Sequence, residues 1–217
     1  MKSPMQRRGP KRLGGPAGSG PLGSTVVKGL LLIARGRPEG IECFGATSDA
    51  FLSALSPWLA FLLVGALLMV LRKPTAVGAT LVLLSFCALL LPPVLSHVLA
   101  RVWKRDAFWL RYATATIWCE WLVIFAYAVS LLVVTLLLQL GVPADLAGVA
   151  FLVLVACYWL WLHWFLAWRG LELTRVRAAI LVASVIAATA VLCALAQLLP
   201  PHVGMIGLSR ADPVATN

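Results

Sequence analysis

Apolar residues in this chain come in long runs separated by short polar punctuation. A helix needs about 20 predominantly apolar residues to cross ~30 Å of hydrocarbon. Five segments meet that requirement: 51–71, 76–100, 114–140, 145–168 and 176–199. Arg72, Lys73 and Pro74 close the first, Gly141 and Pro143 fall between the third and fourth, and Pro200 with Pro201 ends the fifth. The predicted fold is all-α, a polytopic membrane bundle of five transmembrane helices occupying 51–199. Inside the second run, Pro92 and Pro93 withhold two backbone donors and crowd the preceding turn, so this helix is expected to kink.

A shorter apolar stretch precedes the first span. Thr25, Lys28 and Arg35 fall on one side of a helix, with Val26, Val27, Leu30, Leu31 and Ile33 around most of the remainder. It is too short to span, so 25–44 is expected to be an amphipathic segment lying in the membrane interface, or a helix packed under the bundle, stopped at Pro38. Thr47, Ser48 and Asp49 are N-cap candidates for the first span.

Composition supports the membrane assignment and charge adds an orientation. The chain is 61% hydrophobic and 12% charged with mean hydropathy +0.94, against roughly 25% charged residues in soluble domains. With the N-terminus in the cytoplasm, 15 of the 18 Lys and Arg fall on the inner side; Arg72, Lys73 and Arg210 fall outside. The positive-inside rule therefore predicts a periplasmic C-terminus, and the expected location is a bacterial inner membrane. Residues 1–24, basic and rich in Gly, Pro and Ser, are expected to be a disordered cytoplasmic arm without the apolar region of a signal peptide, and 200–217 a short periplasmic tail. The net charge of +10 comes without a nucleic-acid motif, so lipid rather than nucleic acid is the expected partner. Cys43, Cys87, Cys119, Cys157 and Cys193 show no metal or redox spacing and read as small apolar residues.

Ionisable groups inside a bilayer are costly and are functional candidates by default. The spans contain three, His97, Glu120 and His163, each within nine residues of a basic boundary residue, Arg101, Arg111 or Arg169. They are expected in the cytoplasmic third of the bundle. Together they offer a proton or ligand cluster; a hydrogen-bonded Glu120 fixing helix register is the structural alternative. Two histidines and a carboxylate are also a possible metal donor set, and two histidines a possible axial pair for haem b; no metal or cofactor is predicted. Trp159, Trp161, Trp164 and Trp168 surround His163. Rings at this level suit an aromatic belt in contact with lipid, or with a pigment or quinone. In the fifth span, Ala179, Ala183 and Ala187 form a small-residue face suited to packing against a neighbouring helix or a second subunit. No nucleophile or nucleotide-binding motif is present, and the chain is not expected to be an enzyme.

Ser56-Pro57-Trp58 near the start of the first span, and Phe108-Trp109-Leu110-Arg111-Tyr112-Ala113-Thr114-Ala115 leading to Trp118-Cys119-Glu120-Trp121, give the chain from Thr25 to Leu199 a resemblance to Yip1-type five-span membrane proteins, especially their bacterial members. That resemblance implies a membrane scaffold or trafficking-like protein with no defined catalytic residues. The expected function is accordingly a non-enzymatic scaffold or accessory subunit of a larger respiratory or photosynthetic membrane complex, associating with other membrane proteins or with itself. Two alternatives use the polar cluster: a small proton-coupled permease, and a single-haem or quinone-binding redox protein.

Overall fold

The structure is a computed structural model and describes residues 22–72 and 76–198. Expectations for the tail and for most of the arm lie outside these residues. The arm's last three residues are already helical, because α1 runs Leu22–Ala34. A 3-10 segment, Pro38–Cys43, follows, and then α2 (Ser48–Arg72), α3 (Ala76–Val102), α4 (Asp106–Gln139), α5 (Ala144–Gly170) and α6 (Arg175–Leu198). The last five helices are long and apolar enough to cross a membrane. This is a multi-pass membrane protein and an all-α bundle.

Local chemistry explains where these helices begin. Thr47 caps α2: its Oγ1 accepts from the Ala50 N–H at 3.2 Å, and its carbonyl accepts from Phe51 at 3.1 Å. Pro57 lies well inside α2 and cannot donate to the Ser53 carbonyl; the Ser56 hydroxyl donates there instead, at 3.0 Å. Helix α4 starts eight residues before the run expected from hydropathy, with Asp106 in its first turn where the helix dipole favours an anion. At 1.5 Å per residue its 34 residues extend about 51 Å, well beyond the hydrocarbon thickness.

Helix ends are closed by backbone bonds that need a left-handed residue. After α1, Gly36 donates to Ile33 O at 2.8 Å and Arg37 to Leu32 O at 2.9 Å; after α4, Gly141 and Val142 make the equivalent pair. Both glycines have positive φ, 71° and 84°. The same turn after α3 is made by Lys104 (φ 57°) and after α5 by Glu172 (φ 49°), where a Cβ carries a steric cost. Arg105 and Glu172 join these two turns by an exposed ion pair of 3.3 Å.

Helix α4 is the hub. It packs against α2, α3 and α5, and also against α1 and the 3-10 segment. Burial is concentrated at the end of the bundle that carries α1: Ile33, Ile41 and Phe44 join Tyr112, Cys119, Leu162, Leu166, Leu171 and Leu181 in one apolar cluster. The 25–44 segment is therefore anchored beneath the bundle, while Val27, Lys28 and Leu31 stay exposed. Two glycines permit the fold-back of α1 on the 3-10 segment. A Cβ on Gly40 would lie 2.7 Å from the Gly29 carbonyl oxygen, and one on Gly29 would lie 2.9 Å from Cys43 Cβ.

Two stability outcomes follow from this geometry. Gly40→Ala is expected to lower stability by about 1–3 kcal/mol, the usual cost of forcing a methyl into a filled site. Lys104→Gly is expected to raise it by about 0.5–1 kcal/mol through relief of the left-handed turn. Thermal unfolding in detergent measures both, and a stabilised Gly40→Ala protein would contradict the packing described.

Candidate functional site

Glu120 and His163 meet across the α4–α5 interface. His163 Nε2 lies 3.1 Å from Glu120 Oε1, and its other nitrogen, Nδ1, lies 2.9 Å from the Trp159 carbonyl oxygen one turn back on α5. A carbonyl oxygen accepts only, so Nδ1 carries a hydrogen and donates it. The contact at Nε2 then requires a further proton between imidazole and carboxylate. Either Nε2–H donates to Glu120 as an ion pair, or a protonated Glu120 donates to the Nε2 lone pair. In both forms the pair holds a single shared proton and has no net charge, which suits a low-dielectric site. The Trp159 ring stacks on the His163 ring at 4.1 Å between centroids and holds the imidazole plane.

The pair borders a cavity of about 230 Å³, which is smaller than the ~300–1,000 Å³ typical of drug-sized sites. All five spans line it: Trp58 from α2; Ala88, Leu89, Pro92, Pro93 and Ser96 from α3; Tyr112, Ala113, Thr116, Ile117 and Glu120 from α4; Trp159 and His163 from α5; Leu181, Val182 and Val185 from α6. Its walls are mainly apolar. The Glu120 side chain is 35% exposed and that of His163 12%, so the carboxylate is the more accessible member.

His97 does not join them. Its ring packs on Trp109 at 4.5 Å, and its Nδ1 is buried without a hydrogen-bond partner. Trp109 precedes Glu120 by 11 residues, about 16 Å along α4. The expectation of a common layer took Arg111 as the foot of the third span, whereas α4 extends below it and pairs His97 with that lower segment. Among the described residues, no group of three His, Cys, Asp or Glu side chains is placed to hold a metal ion.

The four tryptophans of α5 divide between separate environments. Trp159 belongs to the cavity; sequence reasoning placed it in the belt, although its spacing of four from His163 put the two on one helix face. Trp161 is at the surface, stacked on Phe165 at 5.5 Å. Trp164 stacks on Trp168 at 5.2 Å and donates its indole N–H to the Arg175 carbonyl at 3.1 Å. The guanidinium groups of Arg169 and Arg175 lie 4.0 and 4.8 Å from the Trp168 ring, as cation–π partners at a helix end.

Helix α6 buries Ala178, Leu181, Val182 and Val185 within the chain. Ala179, Ala183 and Ala187 are exposed; the first two border an open groove with Leu160, Trp161 and Trp164 of α5. Cavity residues that sequence reasoning did not single out as site residues are Trp58, Thr116 and the segment around Pro92. The paired prolines were the available signal, since a break in helical bonding at mid-span is tolerated where it faces protein or a cavity. Comparison with family models, with curated proteins and with solved structures found no match to this chain.

The Glu120–His163 contact predicts a contrast between two variants. Glu120→Gln can still donate an amide N–H to Nε2 and is expected to stay within about 1 kcal/mol of the parent. Glu120→Leu strands the largely buried imidazole and is expected to cost about 1–3 kcal/mol. Equal destabilisation of the two in detergent unfolding would count against the hydrogen bond.

Proposed function

We propose that this protein is a small proton-coupled carrier, holding a compact, largely apolar solute in the central cavity and coupling its binding to the proton shared by Glu120 and His163. The observation that carries the reading is the meeting of two features at one place: a carboxylate–imidazole pair inside the spans, and a cavity to which every span contributes. A pair that served only to fix helix register would need no adjoining space. Here the carboxylate borders the cavity, so a solute that enters it alters the energy of the shared proton.

Other roles draw less from the same geometry. An axial histidine pair for haem would need His97 and His163 to face one cofactor, but His97 is outside the cavity lining and both nitrogens of His163 are engaged. A scaffold or accessory-subunit role would use the exposed Ala179, Ala183 and Ala187 side of α6 and leaves the cavity without a purpose. With the N-terminus inside, as the Lys and Arg distribution implies, the pair lies in the half of the membrane nearer the cytoplasm.

Proteoliposomes carrying a pH-sensitive dye in the lumen test the coupling. Gradients of small amphiphilic solutes imposed across the membrane are expected to move protons with the parent protein. Glu120→Gln, folded normally, is expected to abolish that movement. Proton flux unaffected by this substitution would rule the carrier mechanism out.

A further inference from the structure

The polar atoms around the cavity share one property: most of them offer lone pairs. The Thr116 hydroxyl donates its hydrogen to the Tyr112 carbonyl at 2.9 Å, and the Ser96 hydroxyl donates to the Pro93 carbonyl at 3.0 Å. Ser96 Oγ also accepts from the Trp109 indole at 3.2 Å. His163 Nδ1–H is committed to Trp159. Pro92 and Pro93 have no N–H to give to the carbonyls of Ala88 and Leu89, and both of those residues line the cavity.

Donors are correspondingly few. The Trp58 indole nitrogen is buried from solvent and from the cavity, with no hydrogen-bond partner. The remaining hydroxyl belongs to Tyr112, a residue 5% exposed. The titratable side chains in the lining are Tyr112 and Glu120 from α4 and His163 from α5; α2, α3 and α6 contribute none, and no Lys or Arg lines the space. Trp58 and Trp159 add aromatic surface, which attracts cations.

Resting on the carrier reading above, we infer that the solute is a small lipophilic ammonium ion, and that it binds by exchange for the proton of the Glu120–His163 pair. The exchange balances. At rest the pair is neutral, with a single proton between Oε1 and Nε2. The ammonium ion brings a positive charge to Glu120 and donates N–H to the carboxylate and to the Nε2 lone pair of His163 that the departing proton frees. The shared proton leaves to water, and the site then contains Glu120 carboxylate, neutral His163 and the cation. Its net charge is zero before the exchange and zero after it, and no covalent bond to carbon is made or broken. A neutral solute of the same shape satisfies fewer lone pairs and displaces no proton.

Benzylammonium and benzyl alcohol, matched in shape but one cationic and the other neutral, distinguish the possibilities. Binding is followed by tryptophan fluorescence of the full-length protein in detergent, and proton release by a dye in weakly buffered solution. The expected result is at least about tenfold tighter binding of benzylammonium, with a proton released for each cation bound. Glu120→Gln is expected to lose both the preference and the release, while Glu120→Asp, which keeps a carboxylate, retains the release. Benzylammonium binding without proton release, or with release that survives Glu120→Gln, overturns the exchange. If benzyl alcohol binds as tightly and in a Glu120-dependent way, the ammonium assignment fails while the cavity remains a solute site. If neither probe binds, the assignment and the carrier reading fall together.

Discussion

The proton shared by Glu120 and His163 is the constraint around which the interior is arranged. In hydrocarbon neither a carboxylate nor an imidazolium is tolerable alone. Each is made acceptable by the other, and the arrangement is fixed by a third group, the Trp159 carbonyl, which commits the second imidazole nitrogen. That carbonyl already belongs to the helical ladder of α5, so the orientation of His163 is tied to backbone rather than to a movable side chain. The consequence is a hydrogen-bonded pair whose geometry is set by the α5 backbone.

Packing supplies the rigidity this requires, and it does so unevenly. The end of the bundle bearing α1 is filled by the large apolar cluster, with Tyr112 pressed against Gly170, where a Cβ would meet the tyrosine Cδ2 at 3.2 Å. Toward the other end, α2, α4 and α5 expose Leu63, Val64, Phe125, Leu132, Leu152 and Val153, as expected of surfaces in contact with lipid. The tight end keeps α4 and α5 in register for the Glu120–His163 contact.

Much of this fold is legible in the sequence because hydrocarbon imposes a length and a composition on every span. Five runs with their punctuation gave five helices, and Thr47 capped the first of them. The start of α4 was hidden because Asp106 to Ala113 contain no Pro or Gly, and hydropathy does not register a helix that continues past the hydrophobic slab. That offset also hid the distance along α4 between Glu120 and Trp109, the residue on which His97 packs. The pairing of Glu120 with His163 depends on the rotation of α4 against α5, which spacing along either helix does not define. The division of Trp159 from Trp161 and Trp164 has the same origin: composition places all of them near one level, and only helix rotation decides which faces the cavity.

The two proline breaks show how the same residue serves different ends. In α2, the carbonyl that Pro57 leaves behind, that of Ser53, receives the Ser56 hydroxyl, and the helix continues with its polarity repaired. In α3 the adjacent prolines free the carbonyls of Ala88 and Leu89, and the nearby Ser96 hydroxyl donates elsewhere, to Pro93. A second proline makes local repair harder, since the residue that could bridge one gap is itself unable to donate. Ala88 and Leu89 both line the cavity that Glu120 also borders. The paired prolines thus have a consequence for the cavity: two lining residues of α3 lose the helical donors to their carbonyls, and the space that Glu120 also borders acquires a preference for whatever can donate.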